Sequence, residues 1–182
     1  NWPYCDSTYP DAFSGEKDSC GVGFIASVEG NQNHWVLSQA LRGLSCMEHR
    51  GGCGGDNDSG DGAGILCEIP WSYFKKVWET AEQCDPQLSG VGMIFMPKDL
   101  KNRELARKIC EEEAGNLGLT SQGWRDVPVH DEVLGKLAKE NEPFITQWIV
   151  DIKDKEINLE ALLFRLRQRI SNRANIELKE DK

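Results

Sequence analysis

The sequence predicts a single domain of mixed α and β class, on two observations. Short β-prone apolar runs alternate along the chain with longer segments whose apolar residues recur at helical spacing. The 182 residues, 39% hydrophobic and 28% charged, are enough for one sizeable core and leave little for a second. Helices in such a chain cover the faces of a sheet. The order of elements leaves open whether the strands pair parallel or antiparallel.

Each element has its own justification. Gly21 to Val28 is apolar with small residues and reads as a buried strand. Val36, Leu37, Ala40, Leu41, Leu44 and Met47 fall on one stripe, which predicts an amphipathic helix ending near His49. The Gly/Asp-rich run RGGCGGDNDSGDGAG reads as a loop, and AGILCEI after it as a second strand. Pro70 opens a helix that the pattern carries to Cys84. GVGMIFMP is a third strand, and a charged helix from about Lys98 is stopped by Gly115 or Gly118. PFITQWIVDI is a fourth strand. Asn158 is placed to cap a last helix whose stripe is Leu159, Leu162, Leu163, Leu166 and Ile170.

Composition excludes several functions. A formal net charge of −9 argues against nucleic acid or an anionic membrane as partner, since both select a basic face. No run approaches the roughly 18 apolar residues of a membrane span. The first nineteen residues lack the basic and apolar regions of a secretory signal and the Arg-rich character of a transit peptide. The seven cysteines show no disulfide-scaffold rhythm, so reduced thiols are expected.

The loop offers metal chemistry first. Counted from Asp56, an EF-hand needs Gly sixth and Glu twelfth, but Asp61 and Cys67 stand there. Cys46, His49 and Cys53 have the spacing C-x2-H-x3-C without a second pair, a weak zinc signal. No Gly-Lys-Ser/Thr follows the glycines, so they form no phosphate loop. No metal is expected; Asp56, Asp58 and Asp61 read as turn-formers, and Cys46, Cys53 and Cys67 as packing residues.

Cys20, in EKDSCGVGFIASV, is the other candidate. A thiol of pKa near 8.5 needs a base to become a nucleophile, and neither His34, His49 nor His130 is close in sequence. A cysteine that becomes the first residue of a processed chain carries its own base, an α-amino group titrating at about 7.7–8.0. A packed core thiol is the competing reading of Cys20, and a loop arginine bonding helix-end carbonyls that of Arg50.

The blocks DSCGVGFIA, ALRGLSCMEHRGGCGGDNDSGDGAGIL, IPW and GWRDVPVHDEVLGKLAKENEPFITQ together resemble the amino-terminal glutamine amidotransferase domain of the glutamate synthase family. The wording of CMEHRGGCGGDNDSGDGAG resembles most the ferredoxin-dependent type of cyanobacteria and plastids. The resemblance runs from about Phe13 to about Asn172. It implies an α+β fold, the four-layer αββα sandwich of N-terminal-nucleophile hydrolases, incomplete here at its C-terminal end. It implies residues 1–19 as a propeptide and 20–182 as a partial class II amidotransferase domain.

The implied reaction is hydrolysis of L-glutamine through a γ-glutamyl thioester on Cys20, with Arg50 and Gly51 positioning the nucleophile. The ammonia released is channelled to a synthase domain of the same polypeptide, which holds FMN and an iron–sulfur cluster, draws on ferredoxin and aminates 2-oxoglutarate. No cofactor is expected on this chain itself. The implied location is the cyanobacterial cytoplasm or the plastid stroma. Cys20 is internal, and the segments that hold the substrate carboxylate and form the oxyanion hole do not occur in the 182 residues, so a fragment with little activity of its own is expected. The alternative is a catalytically incompetent amidotransferase-like domain with a binding or regulatory role.

Overall fold

The structure is a computed structural model that describes residues 21–30, 32–47, 58–60 and 62–178. The described residues up to Leu66, with Gly135–Leu137, belong to one compact unit, and the rest to a second.

The first unit carries α1 (His34–Ser45), started by Asn33, whose side chain accepts a hydrogen bond from the Trp35 N–H at 2.8 Å. The predicted stripe is only half-buried: Val36, Leu37, Ala40, Leu44 and Met47 are partly covered, while Leu41 is exposed. The expected strands over Gly21–Val28 and Ala63–Ile69 do not form. Neither run has ladder partners among the described residues, and Val22, Phe24, Val28 and Leu66 are exposed. Apolar β-prone residues supply propensity, but a strand forms only where another strand accepts its backbone bonds.

In the second unit, α2 (Trp71–Val77) follows Pro70, whose carbonyl accepts from the Tyr73 and Phe74 N–H groups. The helix expected to run on to Cys84 breaks at Trp78, which is extended, and resumes as a 3-10 turn over Glu79–Gln83. Tertiary packing overrides the helical pattern there. The break turns Trp78 edge-on to Phe74, ring centroids 5.9 Å apart, in a core cluster with Ala81, Cys84 and Ile149.

Three antiparallel strands, β1 (Ser89–Met96), β2 (Thr120–Asp126) and β3 (Phe144–Asp151), form a sheet of order β1-β3-β2. The class is therefore α+β. Register places Gly92 and Trp124 opposite Trp148, on the face covered by α3 (Leu100–Asn116) and α5 (Leu159–Glu177). That core holds Trp148, Val150, Cys110, Ala114, Leu162 and Leu166. Val91 and Ile149, on the other face, meet Phe74 and Trp78. Further along that face Met93 and Phe95 are exposed.

The helix ends follow local chemistry. Asp99 caps α3 at the Asn102 N–H (2.8 Å) and Asn158 caps α5 at the Ala161 N–H (3.0 Å), the latter as the sequence predicts. Gly118, at φ +76°, ends α3: its N–H donates to Gly115 and the Leu119 N–H to Ala114, a Schellman arrangement. Across the helix pair, Glu113 is buried and accepts from Arg169 Nε at 2.5 Å and Arg173 Nη1 at 3.3 Å. A short α4 (Lys136–Asn141) precedes β3.

Candidate active site

Cys20, Arg50 and Gly51 lie outside the described residues, as do His49, Cys53, Asp56 and Asp61. The structure describes what flanks them. Downstream of Cys20, the run from Gly21 is exposed, and the Gly30 N–H donates to the Ser27 carbonyl in a turn, with Gly30 at φ +69°. Upstream of Arg50, α1 ends where the Cys46 N–H bonds Arg42 and the Met47 N–H bonds Leu44. In sequence the run HRGG begins at His49, four residues after α1 ends at Ser45.

The loop that carries the acidic residues re-enters the described chain at Asp58. Asp58 is exposed, whereas Ser59 is buried. Gly135, in the same unit, lies against this point: a Cβ built on it would meet Ser59 N and Ser59 Oγ at 2.5 Å and the Asp58 carbonyl carbon at 2.7 Å. Sequence reasoning missed Gly135. Its only sequence signal is a glycine in the block GWRDVPVHDEVLGKLAKENEPFITQ, which does not say what it packs against.

The other cysteines differ in what they can do. Burial, with Glu111 nearby, pushes the Cys110 thiol up to about 12. Burial, with Asp151 second, also raises that of Cys84, whose Sγ donates to the Thr80 carbonyl. Both stay protonated at neutral pH, so neither is a nucleophile. Cys46 and Cys67 are exposed. Among the described residues no three His, Cys, Asp or Glu side chains gather as a metal-holding group. A groove of about 380 Å³ lined by Val129, His130, Leu134, Glu142 and Pro143 is mostly apolar and presents no cysteine or serine. Among the described residues no helix is long and apolar enough to cross a membrane.

The described groups contain no complete catalytic set. Comparison with known proteins resolves the class. The sequence profile of the class-II glutamine amidotransferases matches residues 20–182, and the chain belongs to that family.

Among its relatives is ferredoxin-dependent glutamate synthase 2 of Synechocystis sp., 48% identical over 137 residues, covering 74% of this chain and 9% of that protein. Chloroplastic/mitochondrial ferredoxin-dependent glutamate synthase 1 of Arabidopsis thaliana is 43% identical over 160 residues, 85% of this chain and 10% of its own length. The ferredoxin-dependent glutamate synthase of Pyropia yezoensis is 43% identical over 174 residues, 91% of this chain and 11% of its own. The chain spans about a tenth of the length of the curated relatives it matches.

Proposed function

We propose that this chain is the glutaminase part of a ferredoxin-dependent glutamate synthase, with Cys20 as nucleophile. The observation that carries the reading is that the family match begins at Cys20, the one cysteine followed directly by Gly-Val-Gly. On this reading residues 1–19 are a propeptide, and cleavage after Ser19 frees the Cys20 amine. That amine takes the thiol proton, and the thiolate attacks the side-chain carbonyl carbon of L-glutamine. The C–N bond breaks as the leaving nitrogen accepts the proton, ammonia departs, and a γ-glutamyl thioester remains. Water then cleaves the thioester to glutamate and restores the thiol. Arg50 holds positive charge near the developing thiolate and lowers its pKa, while Gly51 lets the loop backbone approach.

The four-layer sandwich belongs to the same proposal. Its support is the apolar surface left exposed: Met93 and Phe95 on the sheet, and Val22, Phe24 and Val28 along a β-prone run. A second sheet stacked on this one would cover such a face. Ferredoxin, which the names of the relatives carry, is assigned to the full-length enzyme, together with the FMN, iron–sulfur cluster and ammonia channelling that the family resemblance implies. The described residues offer no donor set for a cluster. The cyanobacterial and chloroplastic relatives point to the cytoplasm or plastid stroma.

The test is Cys20→Ser in the full-length enzyme. Glutamine-dependent glutamate synthesis is expected to vanish while the ammonia-dependent reaction persists, because a serine hydroxyl is a far weaker nucleophile at neutral pH. Glutamine-dependent turnover within about tenfold of wild type would remove Cys20 from the mechanism.

A further inference from the structure

We propose that Ser89, Asp151 and Cys84 form a pH-sensitive latch at one end of the sheet, closed while Asp151 is protonated and loosened when it ionises. The latch lies wholly within the second unit and uses no group of the proposed glutaminase reaction. Strand register sets it up. Asp151, the last residue of β3, stands opposite both Ser89, the first of β1, and Thr120, the first of β2. Just past them the Ile152 N–H donates to the Leu88 carbonyl at 2.9 Å. Ser89 and Asp151 lie two residues from Val91 and Ile149, so they share the face that Phe74, Trp78, Ala81 and Cys84 cover.

The polar atoms at this end are sealed without being satisfied. Ser89 is 3% exposed, and its Oγ has no hydrogen-bond partner among the described residues. Asp151 is partly buried, and its Oδ1 is sealed and likewise unpartnered. The buried Cys84 thiol donates to the Thr80 carbonyl at 3.4 Å. The Ser89 hydroxyl is near enough to act on both Cys84 and Asp151 without completing a hydrogen bond to either. It has one proton for two acceptors, so with Asp151 ionised the set is one donor short. Protonated Asp151 supplies that donor: its O–H turns to Ser89 Oγ, and the Ser89 O–H turns to Cys84 Sγ.

The surrounding charges act in the same direction. Burial pushes the Asp151 carboxyl above its ordinary range, Ser89 opposes the rise, and the charge of Asp85 adds to it. At Cys84, burial and then Asp151 raise the thiol, against Ser89 and against Lys75 of α2, the cation facing the cluster. From β2 the facing residue is the neutral Thr120. A carboxyl held above its ordinary value binds its proton more tightly closed than open. Closure is therefore fully supported below the open-state value near 3.9, weakens as pH rises through the raised value, and is constant above it. Opening at a strand end breaks few backbone bonds, and here it uncovers Cys84.

The experiment labels Cys84 in the full-length enzyme with dithiodipyridine between about pH 4.5 and about pH 7. Peptide mass spectrometry counts the product, divided at each pH by labelling of a free cysteine peptide. Cys84 labelling is expected to rise by about threefold or more across that range, while Cys110, buried in the other core cluster of the same unit, does not rise. Asp151→Asn supplies an N–H donor and cannot ionise, so its Cys84 labelling is expected to stay flat at the wild-type acid level. Ser89→Ala leaves the carboxyl without its hydroxyl and is expected to label Cys84 about threefold faster than wild type at neutral pH, a test that stands where Asp151→Asn does not fold. Wild-type labelling that ignores pH, Cys110 rising in step with Cys84, Asp151→Asn keeping the wild-type rise, or Ser89→Ala labelling no faster than wild type would each overturn the latch.

Discussion

Replacing Trp148 by Phe probes the core that joins the sheet to its two long helices. Trp148 is 2% exposed and stacks on Trp124 with ring centroids 4.9 Å apart and planes 5° from parallel. Its indole N–H donates to Ser121 Oγ at 2.8 Å. Phe keeps an aromatic ring but loses that hydrogen bond, worth about 1 kcal/mol net. It also forfeits much of the stack, worth about 0.5–1.5 kcal/mol beyond area, and leaves a void whose lining loses its contacts, roughly a further 1 kcal/mol. The expected destabilisation is about 2.5–3.5 kcal/mol.

Trp124 is only half-buried, bonds Glu111 at 2.8 Å and lies under the Arg107 guanidinium. Trp124→Phe should therefore cost about 1 kcal/mol. Urea unfolding followed by far-ultraviolet circular dichroism measures both variants, and the double mutant isolates a coupling of about 0.5–1.5 kcal/mol for the stack. Any far-ultraviolet exciton signal from the two stacked indoles should disappear in either single variant. Trp148→Phe within about 0.5 kcal/mol of wild type, or cheaper than Trp124→Phe, would refute the reasoning.

Two further substitutions test the frame around that core. Gly90 faces Leu163, and a Cβ there would stand 2.6 Å from Leu163 Cδ1; Gly90→Ala is expected to cost about 1–3 kcal/mol by overpacking, read as a fall in urea midpoint with unchanged slope. Glu113 is held below its ordinary carboxyl pKa, chiefly by the hydrogen bond from Arg169 and against the opposing effect of burial. A lowered folded value gives stability that is present above the unfolded pKa near 4.3 and lost as pH falls through the folded value. Wild type should therefore lose stability more steeply than Glu113→Gln below about pH 5, and parallel acid limbs in the two proteins would contradict the assignment.

Much of the second unit was legible because each segment carried a periodic pattern and a stop. The stripe Leu159, Leu162, Leu163, Leu166 and Ile170 with Asn158 before it gave α5, although the helix runs on through a polar stretch to Glu177, supported by Arg173 bonding Glu112, Glu113 and Glu177. β3 is the central strand, buried along most of its length, and Ile145, Trp148, Ile149 and Val150 make it β-prone on both faces, with Thr146 and Gln147 buried between them. β2 was missed for the opposite reason. It is an edge strand of sequence TSQGWRD, with Gly123 at a bulge, and edge strands are allowed to be polar. The break at Trp78 had no local signal either, since only the cluster under β3 rewards turning that indole inward.

The candidate site shows why residue type alone could not identify its nucleophile. A thiol attacks only as a thiolate, and the folded environment decides how readily each cysteine reaches that form. Cys110 and Cys84 sit where burial and neighbouring carboxylates favour the protonated form, so their chemistry is packing. A nucleophile needs a cation or a base within reach, and the histidines offer none near Cys20 in sequence. On the proposed reading the amine of Cys20 itself would satisfy that need, but only after the bond to Ser19 is cut, because a peptide nitrogen has no basic lone pair. On the proposed reading, removal of residues 1–19 is therefore a step in making the catalyst and not a matter of trimming. The same logic explains Gly135. The information that it must be glycine resides in the approach of Ser59, a residue distant in sequence, and becomes visible only when the two backbones are brought together.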